Sequence, residues 1–337
     1  MALPLCACNA LFDDPQASGE LTEPKVPAQP GGRFGWAPGT TPRAALDEGH
    51  AEHLPALAAL SLTGVIDAHC HWFPENVMRR IWEYFDQHYW PITYRYDPAG
   101  RLDWLRRNKV KRFTTLNYAH RPGMASWLNQ WTSEWAATVP EAVPCGTFFP
   151  EPGVEVYVRR AIEEYGFRGF KLHLRVGDMD PNDETLTEAF EQVAAAELPV
   201  IIHSGSAPDP GRFTQFALME RLVRRHPRLR VVVAHMGAYE FEDYLRLVEE
   251  HEFVHMDTTM VFVNYLACGD YPEPLLKRLE RVYTKILFGS DYPGIPYSLS
   301  HAVLGVANLP FTVRARRAIL AGNAARMFRL EMPEGAA

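Results

Sequence analysis

Four apolar runs in this chain end in a histidine or an aspartate, and that recurrence constrains the fold more than any other feature. Val65-Ile66 leads into Asp67-Ala68-His69-Cys70-His71. Pro199-Val200-Ile201-Ile202 leads into His203, Val231-Val232-Val233-Ala234 into His235, and Ile286-Leu287-Phe288-Gly289-Ser290 into Asp291. Alternate side chains of a strand point the same way, so His69 and His71 project together and can clamp one divalent cation. Four strands with such residues at their C-terminal ends describe a metal site at the mouth of a barrel, where barrel enzymes keep their chemistry.

The rest of the chain fits that reading. β-like runs fall near 64–69, 111–117, 143–149, 167–173, 199–204, 230–235, 253–257 and 285–290. Between most of them lie amphipathic helices: Pro152 to Tyr165, Asp183 to Glu197, Phe216 to His226 and Glu242 to Glu250. Alternating strands and helices argue for a parallel sheet, and eight strands close a barrel of the (β/α)8 kind, which needs roughly 250 residues. An open, doubly wound sheet is the rival, but it would not gather the first, fifth, sixth and eighth strands around one point. The expected layout is a Pro/Gly-rich arm over 1–62, carrying a short helix near Ala44 to Leu60, a barrel over 63–330 and a tail over 331–337. Val313 to Leu330 reads as a helix pair broken at Gly322-Asn323 that closes the barrel.

Taken with Phe288-Gly289-Ser290-Asp291-Tyr292-Pro293 and Gly322-Asn323-Ala324-Ala325-Arg326, the ordered set of strand-end residues resembles the amidohydrolase superfamily. The resemblance covers about residues 63 to 330. Its nearest branch is the amidohydrolase-related one that includes aminocarboxymuconate-semialdehyde decarboxylase. The resemblance implies a distorted (β/α)8 barrel with one divalent metal, usually zinc, with manganese as the alternative. It implies His69, His71, His203 and Asp291 as metal ligands and His235 as the acid/base histidine. Three imidazoles and one carboxylate suit zinc and leave a position for water, whose pKa the metal lowers to about 7. Histidine titrates in that range, and both His235 and Asp291 stand as candidates for the base.

Other residues invite a role. Lys171, His173 and Arg175 share one face of the run ending Gly169-Phe170-Lys171-Leu172-His173-Leu174-Arg175. Lys171 could bridge two metals if carboxylated, although the branch resembled here pairs a similar segment with mononuclear sites. Arg175 could clamp a substrate carboxylate or form a salt bridge on the rim. His120 ends a loop at the right end of the barrel and is a candidate substrate contact. Asp67 reads as a residue that orients a ligand rather than as one. The aromatic stretch Trp72 to Tyr96 packs as an inserted helix, forms a homodimer contact, or walls the pocket, with Trp72 nearest the site.

Composition narrows the function. The net charge of -7 and the absence of a basic block argue against nucleic acid. No apolar run reaches the roughly 20 residues that span a bilayer, and the start lacks the features of a signal peptide. Five scattered cysteines fit a reducing, cytoplasmic setting. The leading expectation is a metal-dependent hydrolase of a small amide, lactone or ester. The alternative is a metal-dependent, non-oxidative decarboxylase of a small unsaturated or aromatic acid. The segment Met236-Gly237-Ala238-Tyr239-Glu240 has no arginine, unlike the decarboxylases resembled, which favours hydrolysis. A two-metal nuclease would want a glutamate where Lys171 stands, and a non-catalytic scaffold would not need five ionisable strand ends.

Overall fold

The computed structural model describes residues 51–90, 92–263 and 271–336. Most of the predicted arm, with Cys6, Cys8, Phe34 and Trp36, and also Cys268, lies outside the described residues.

The predicted strands form, and all neighbours run parallel. One ladder joins β1 (Val65–Asp67), β2 (Val110–Thr114) and β3 (Ala142–Val143). The second runs in order through β4 (Cys145–Thr147), β5 (Gly169–His173), β6 (Pro199–His203), β7 (Arg230–Val233), β8 (Val254–Asp257) and β9 (Ile286–Leu287). The single strand expected over 143–149 is thus two, separated by Pro144, which has no N–H to give a ladder. The far seam is stitched by main-chain hydrogen bonds beyond the ladders. Ala68 N–H donates to the Phe288 carbonyl, Asp291 N–H to that of His69, and His71 N–H to that of Tyr292, at 2.9, 2.9 and 2.7 Å. The strands therefore surround one axis as a distorted (β/α)8 barrel.

Parallel strands covered on both faces read as unbroken apolar runs. All five residues of β6 are buried accordingly. Helices bury one stripe each: Met219, Leu222 and Val223 on α1 (Phe216–Arg225), and Phe241, Tyr244, Leu245, Leu247 and Val248 on α2 (Phe241–Glu250). The connection from β1 to β2 carries two helices, α3 (Glu75–His88) and α4 (Pro98–Arg107). Asp97 caps α4 by accepting from Gly100 N–H at 2.7 Å, and Pro98 opens it.

The C-terminal helix is not broken at Gly322-Asn323. α5 (Val313–Arg317) passes through a wide turn of π type, Ala318–Gly322, into α6 (Asn323–Met327), and Gly322 keeps helical angles. The Ile319 carbonyl in that turn accepts from Phe288 N–H at 3.0 Å. Asn323 donates to the Tyr283 and Ile286 carbonyls, both at 2.6 Å. Gly322 is needed for proximity rather than for a break: a Cβ there would lie 2.6 Å from the Ala336 carbonyl oxygen.

Candidate metal centre

The end of β1 delivers His69 and His71, and the segment after β9 delivers Asp291. Their ligating atoms all lie within 4.8 Å of one another, a group that could hold a metal ion. His71 Nε2 is 2.8 Å from Asp291 Oδ1, and His69 Nε2 is 3.5 Å from the same oxygen. Both imidazoles have their other nitrogen committed. His69 Nδ1 meets Asp257 Oδ2 at 2.8 Å, and His71 Nδ1 meets the Leu116 carbonyl at 3.2 Å. A carbonyl and a carboxylate only accept, so each Nδ1 donates, and each Nε2 is left facing Asp291, where it can offer a lone pair to a cation. Two imidazole nitrogens and a carboxylate oxygen converging on one point form a donor set that fits a divalent metal.

Electrostatics agree with that assignment. Burial, helped by the nearby Lys171, lowers His69 to about 3 and keeps it neutral. Burial opposes ionisation of Asp291, but the hydrogen bond and charge of His71, with His69 and His235, hold its carboxyl well below the usual range. Lys171 is fully buried, and burial lowers it to about 8. Its Nζ lies 3.1 Å from His69 Nε2.

His203 and His235 stand beside this group without joining it. His203 stacks on His173 at 4.0 Å between ring centroids and meets His235 edge-on at 4.7 Å. His235 Nδ1 lies 3.1 Å from the Thr259 carbonyl, which commits that nitrogen as donor and leaves Nε2 for proton transfer. His235 and Asp291 both adopt left-handed backbone, at φ 55° and 72°. Such conformations cost about 1–3 kcal/mol each and persist only where the surroundings enforce them.

One enforcer is Asp257, which the sequence reading passed over. It is fully buried at the end of β8. Its Oδ2 takes the His69 ring, while Oδ1 accepts from His235 N–H at 3.0 Å and Thr259 N–H at 3.1 Å. Burial opposes its charge, but the His69 ring it binds, with His235 and Lys171 nearby, outweighs burial and holds the carboxyl below its ordinary value. The signal was present: Val254-His255-Met256-Asp257 is another apolar-rich run ending in a carboxylate. Asp67 ties the seam together, accepting from Ser290 N–H at 3.0 Å and from the Ser290 hydroxyl. Burial raises its carboxyl to about 6 against these bonds. Gly289 lets the seam close on the site, since a Cβ there would sit 2.7 Å from that of His69.

A cavity of about 1250 Å³, its open mouth included, lies over the centre. Its floor holds His71, Lys171, His173, His203, His235 and Asp291, and His120 and Arg175 stand in its walls. One wall is α3 and the stretch after it, with Val77, Met78, Ile81, Phe85 and Trp90. The aromatic segment therefore walls the pocket. Trp72, like Trp82, Tyr94 and Tyr96, does not line it, which corrects the expected Trp72 substrate contact. It follows His71 and precedes Phe73, which both line the cavity, so alternation turns it the other way. It is buried between Phe113 and Trp135 and does not line the cavity.

Among the described residues no helix is long and apolar enough to cross a membrane. Solved structures similar to this chain include 5-carboxyvanillate decarboxylase from Sphingomonas paucimobilis, at 18% identity and a TM-score of 0.59, over 80% of this chain and 100% of that one. Another is 2,6-dihydroxybenzoate decarboxylase from Rhizobium, at 16% identity and a TM-score of 0.58, over 80% and 99%. A third is 5-carboxyvanillate decarboxylase from Novosphingobium aromaticivorans with bound manganese, at 13% identity and a TM-score of 0.55, over 79% and 97%. At these identities the likeness is one of fold. No curated protein sequence matches the chain. The sequence model of the family described as Amidohydrolase matches residues 66–330, from β1 through the C-terminal helix, and the chain belongs to that family.

Proposed function

We propose that this chain is a metal-dependent, non-oxidative decarboxylase of a small aromatic or unsaturated acid. The observation that carries the reading is the cavity: aromatic and aliphatic residues of α3 line it together with imidazoles, Asp291 and Lys171. That shape suits a planar apolar body with an acidic group directed at the floor. The decarboxylases of similar fold support the same choice.

His69, His71 and Asp291 would hold the metal, zinc or manganese, with His203 beside them at the end of β6. When bound, the ion supplies Lewis-acid polarisation of a substrate oxygen. The protein's own groups do the rest. Lys171 places a cation opposite the acid. The α3 wall excludes water and orients the ring plane. His235 takes up a solvent proton at Nε2 and delivers it to the carbon that bears the carboxylate. The carbon–carbon bond to the carboxylate then breaks, carbon dioxide leaves, and the delivered proton stays on the vacated carbon.

Hydrolysis of an amide, lactone or ester is the second reading. It is favoured by the absence of an arginine from 236–240 and by the engagement of Arg175 with Asp209. The test is a panel of aromatic and unsaturated acids in deuterated water with metal-loaded protein. Carbon dioxide release with one deuterium at the vacated carbon supports decarboxylation. Turnover confined to lactones, amides or esters replaces it with hydrolysis.

A further inference from the structure

Arg175 is the one arginine among the described residues that line the cavity. It sits in α7 (Leu174–Gly177), the single turn that follows β5. Its Nε donates to Asp209 Oδ2 at 3.1 Å, and its Nη2 donates to the same oxygen. Asp209 belongs to the loop between β6 and α1, and it too lines the cavity. The two partners differ in exposure: the Arg175 side chain is 18% exposed and that of Asp209 is 42% exposed.

The loop backbone is fixed independently of this pair. Gly205 N–H donates to the Thr214 carbonyl and Ala207 N–H to the Ala238 carbonyl, both at 2.8 Å. Ser206 N–H donates to Glu240 at 3.0 Å. Gly211 packs so closely that a Cβ there would meet Arg175 Cδ at 2.7 Å. Arg212 reaches back to Asp178 at 3.1 Å, a second ion pair between the same two segments. A turn of the exposed Asp209 side chain therefore parts it from Arg175 without moving the loop backbone.

We propose that Arg175 binds a carboxylate of the substrate and that Asp209 is a built-in stand-in which the substrate displaces. This rests on the reading of the substrate as a small acid with an apolar body. A guanidinium fork presented to a cavity wall recognises a carboxylate through paired N–H donors. An ion pair with so exposed a partner is weak enough for a ligand to exchange it. Asp209 pairs with the cation in the free protein, and a neutral molecule of similar shape does not displace it, since it cannot replace the charge Asp209 gives up.

The test is calorimetric binding of cinnamate and of its neutral amide, cinnamamide, to the metal-loaded full chain. Removing the internal competitor with Asp209→Asn tightens cinnamate by about three- to fivefold, the range open to an exposed pair, and leaves cinnamamide unchanged. Arg175→Gln weakens cinnamate and leaves cinnamamide unchanged, so the preference for the acid narrows to what Lys171 and the metal supply. The proposal is overturned if Asp209→Asn binds cinnamate no tighter than wild type, if Arg175→Gln leaves the preference at its wild-type size, or if neither wild type nor Asp209→Asn binds cinnamate. These readouts are equilibrium affinities, so they stand apart from whether carbon dioxide is released.

Discussion

Replacing Asp257 with asparagine should weaken metal binding while leaving the fold intact. The two oxygens of Asp257 have separate tasks. Oδ1 accepts from the backbone N–H of His235 and Thr259, and Oδ2 accepts from His69 Nδ1 at 2.8 Å. An asparagine keeps the first set, because its carbonyl oxygen replaces Oδ1. Its amide nitrogen then replaces Oδ2 and presents N–H to a ring nitrogen that also carries hydrogen. His69 escapes the clash by moving its hydrogen to Nε2, which removes the lone pair aimed at the centre. Losing such an outer partner typically costs 10–100-fold in metal affinity, or about 1.4–2.8 kcal/mol. Competition with a chelating dye gives the manganese or zinc dissociation constant, and circular dichroism with a melting curve reports the fold. A folded Asp257→Asn protein with wild-type metal affinity would refute the reasoning.

His235→Ala should keep the metal and lose about 10²–10⁴-fold in turnover; loss of metal in that variant would make His235 a ligand. Asn323→Ala strips both carbonyl partnerships that join α6 to the β9 region. It should lower stability by about 1–3 kcal/mol, read as a fall in denaturant midpoint without loss of metal. Burial lowers His255 and His301 to about 4. Their unfolded forms bind protons below about 6.5 while the folded forms do not. Stability from each is therefore full above 6.5 and declines as pH falls toward 4, by about 2 kcal/mol per histidine at pH 5. Denaturant unfolding at pH 7.5 and pH 5 checks this, and His255→Gln with His301→Gln should flatten the difference.

The barrel was legible because each buried parallel strand reads as a short apolar run, and the ligating residues mark where those runs emerge. His69, His71 and Asp291 were visible for that reason. What stayed hidden depends on distances the pattern does not encode. His203 occupies the expected strand end, yet its ring stacks on His173 rather than joining the group of three. Trp72 was credited to the pocket by its nearness in sequence, although the alternation that pairs His71 with Phe73 turns it away. Asp257 is hidden in the pattern because its task is to fix the hydrogen on a ligand rather than to be one. Gly322-Asn323 looked like a break, but the glycine makes room for the Ala336 carbonyl and the asparagine pins a continuous helix.

The central claim is that His69, His71 and Asp291 converge to hold one divalent metal, and metal content per chain tests it most directly. Mass spectrometry on protein purified without chelators should find about one zinc or manganese per chain, with His71→Ala and Asp291→Ala folded and empty. A wild-type protein that holds no metal even after reconstitution, or variants that retain it, would contradict the account.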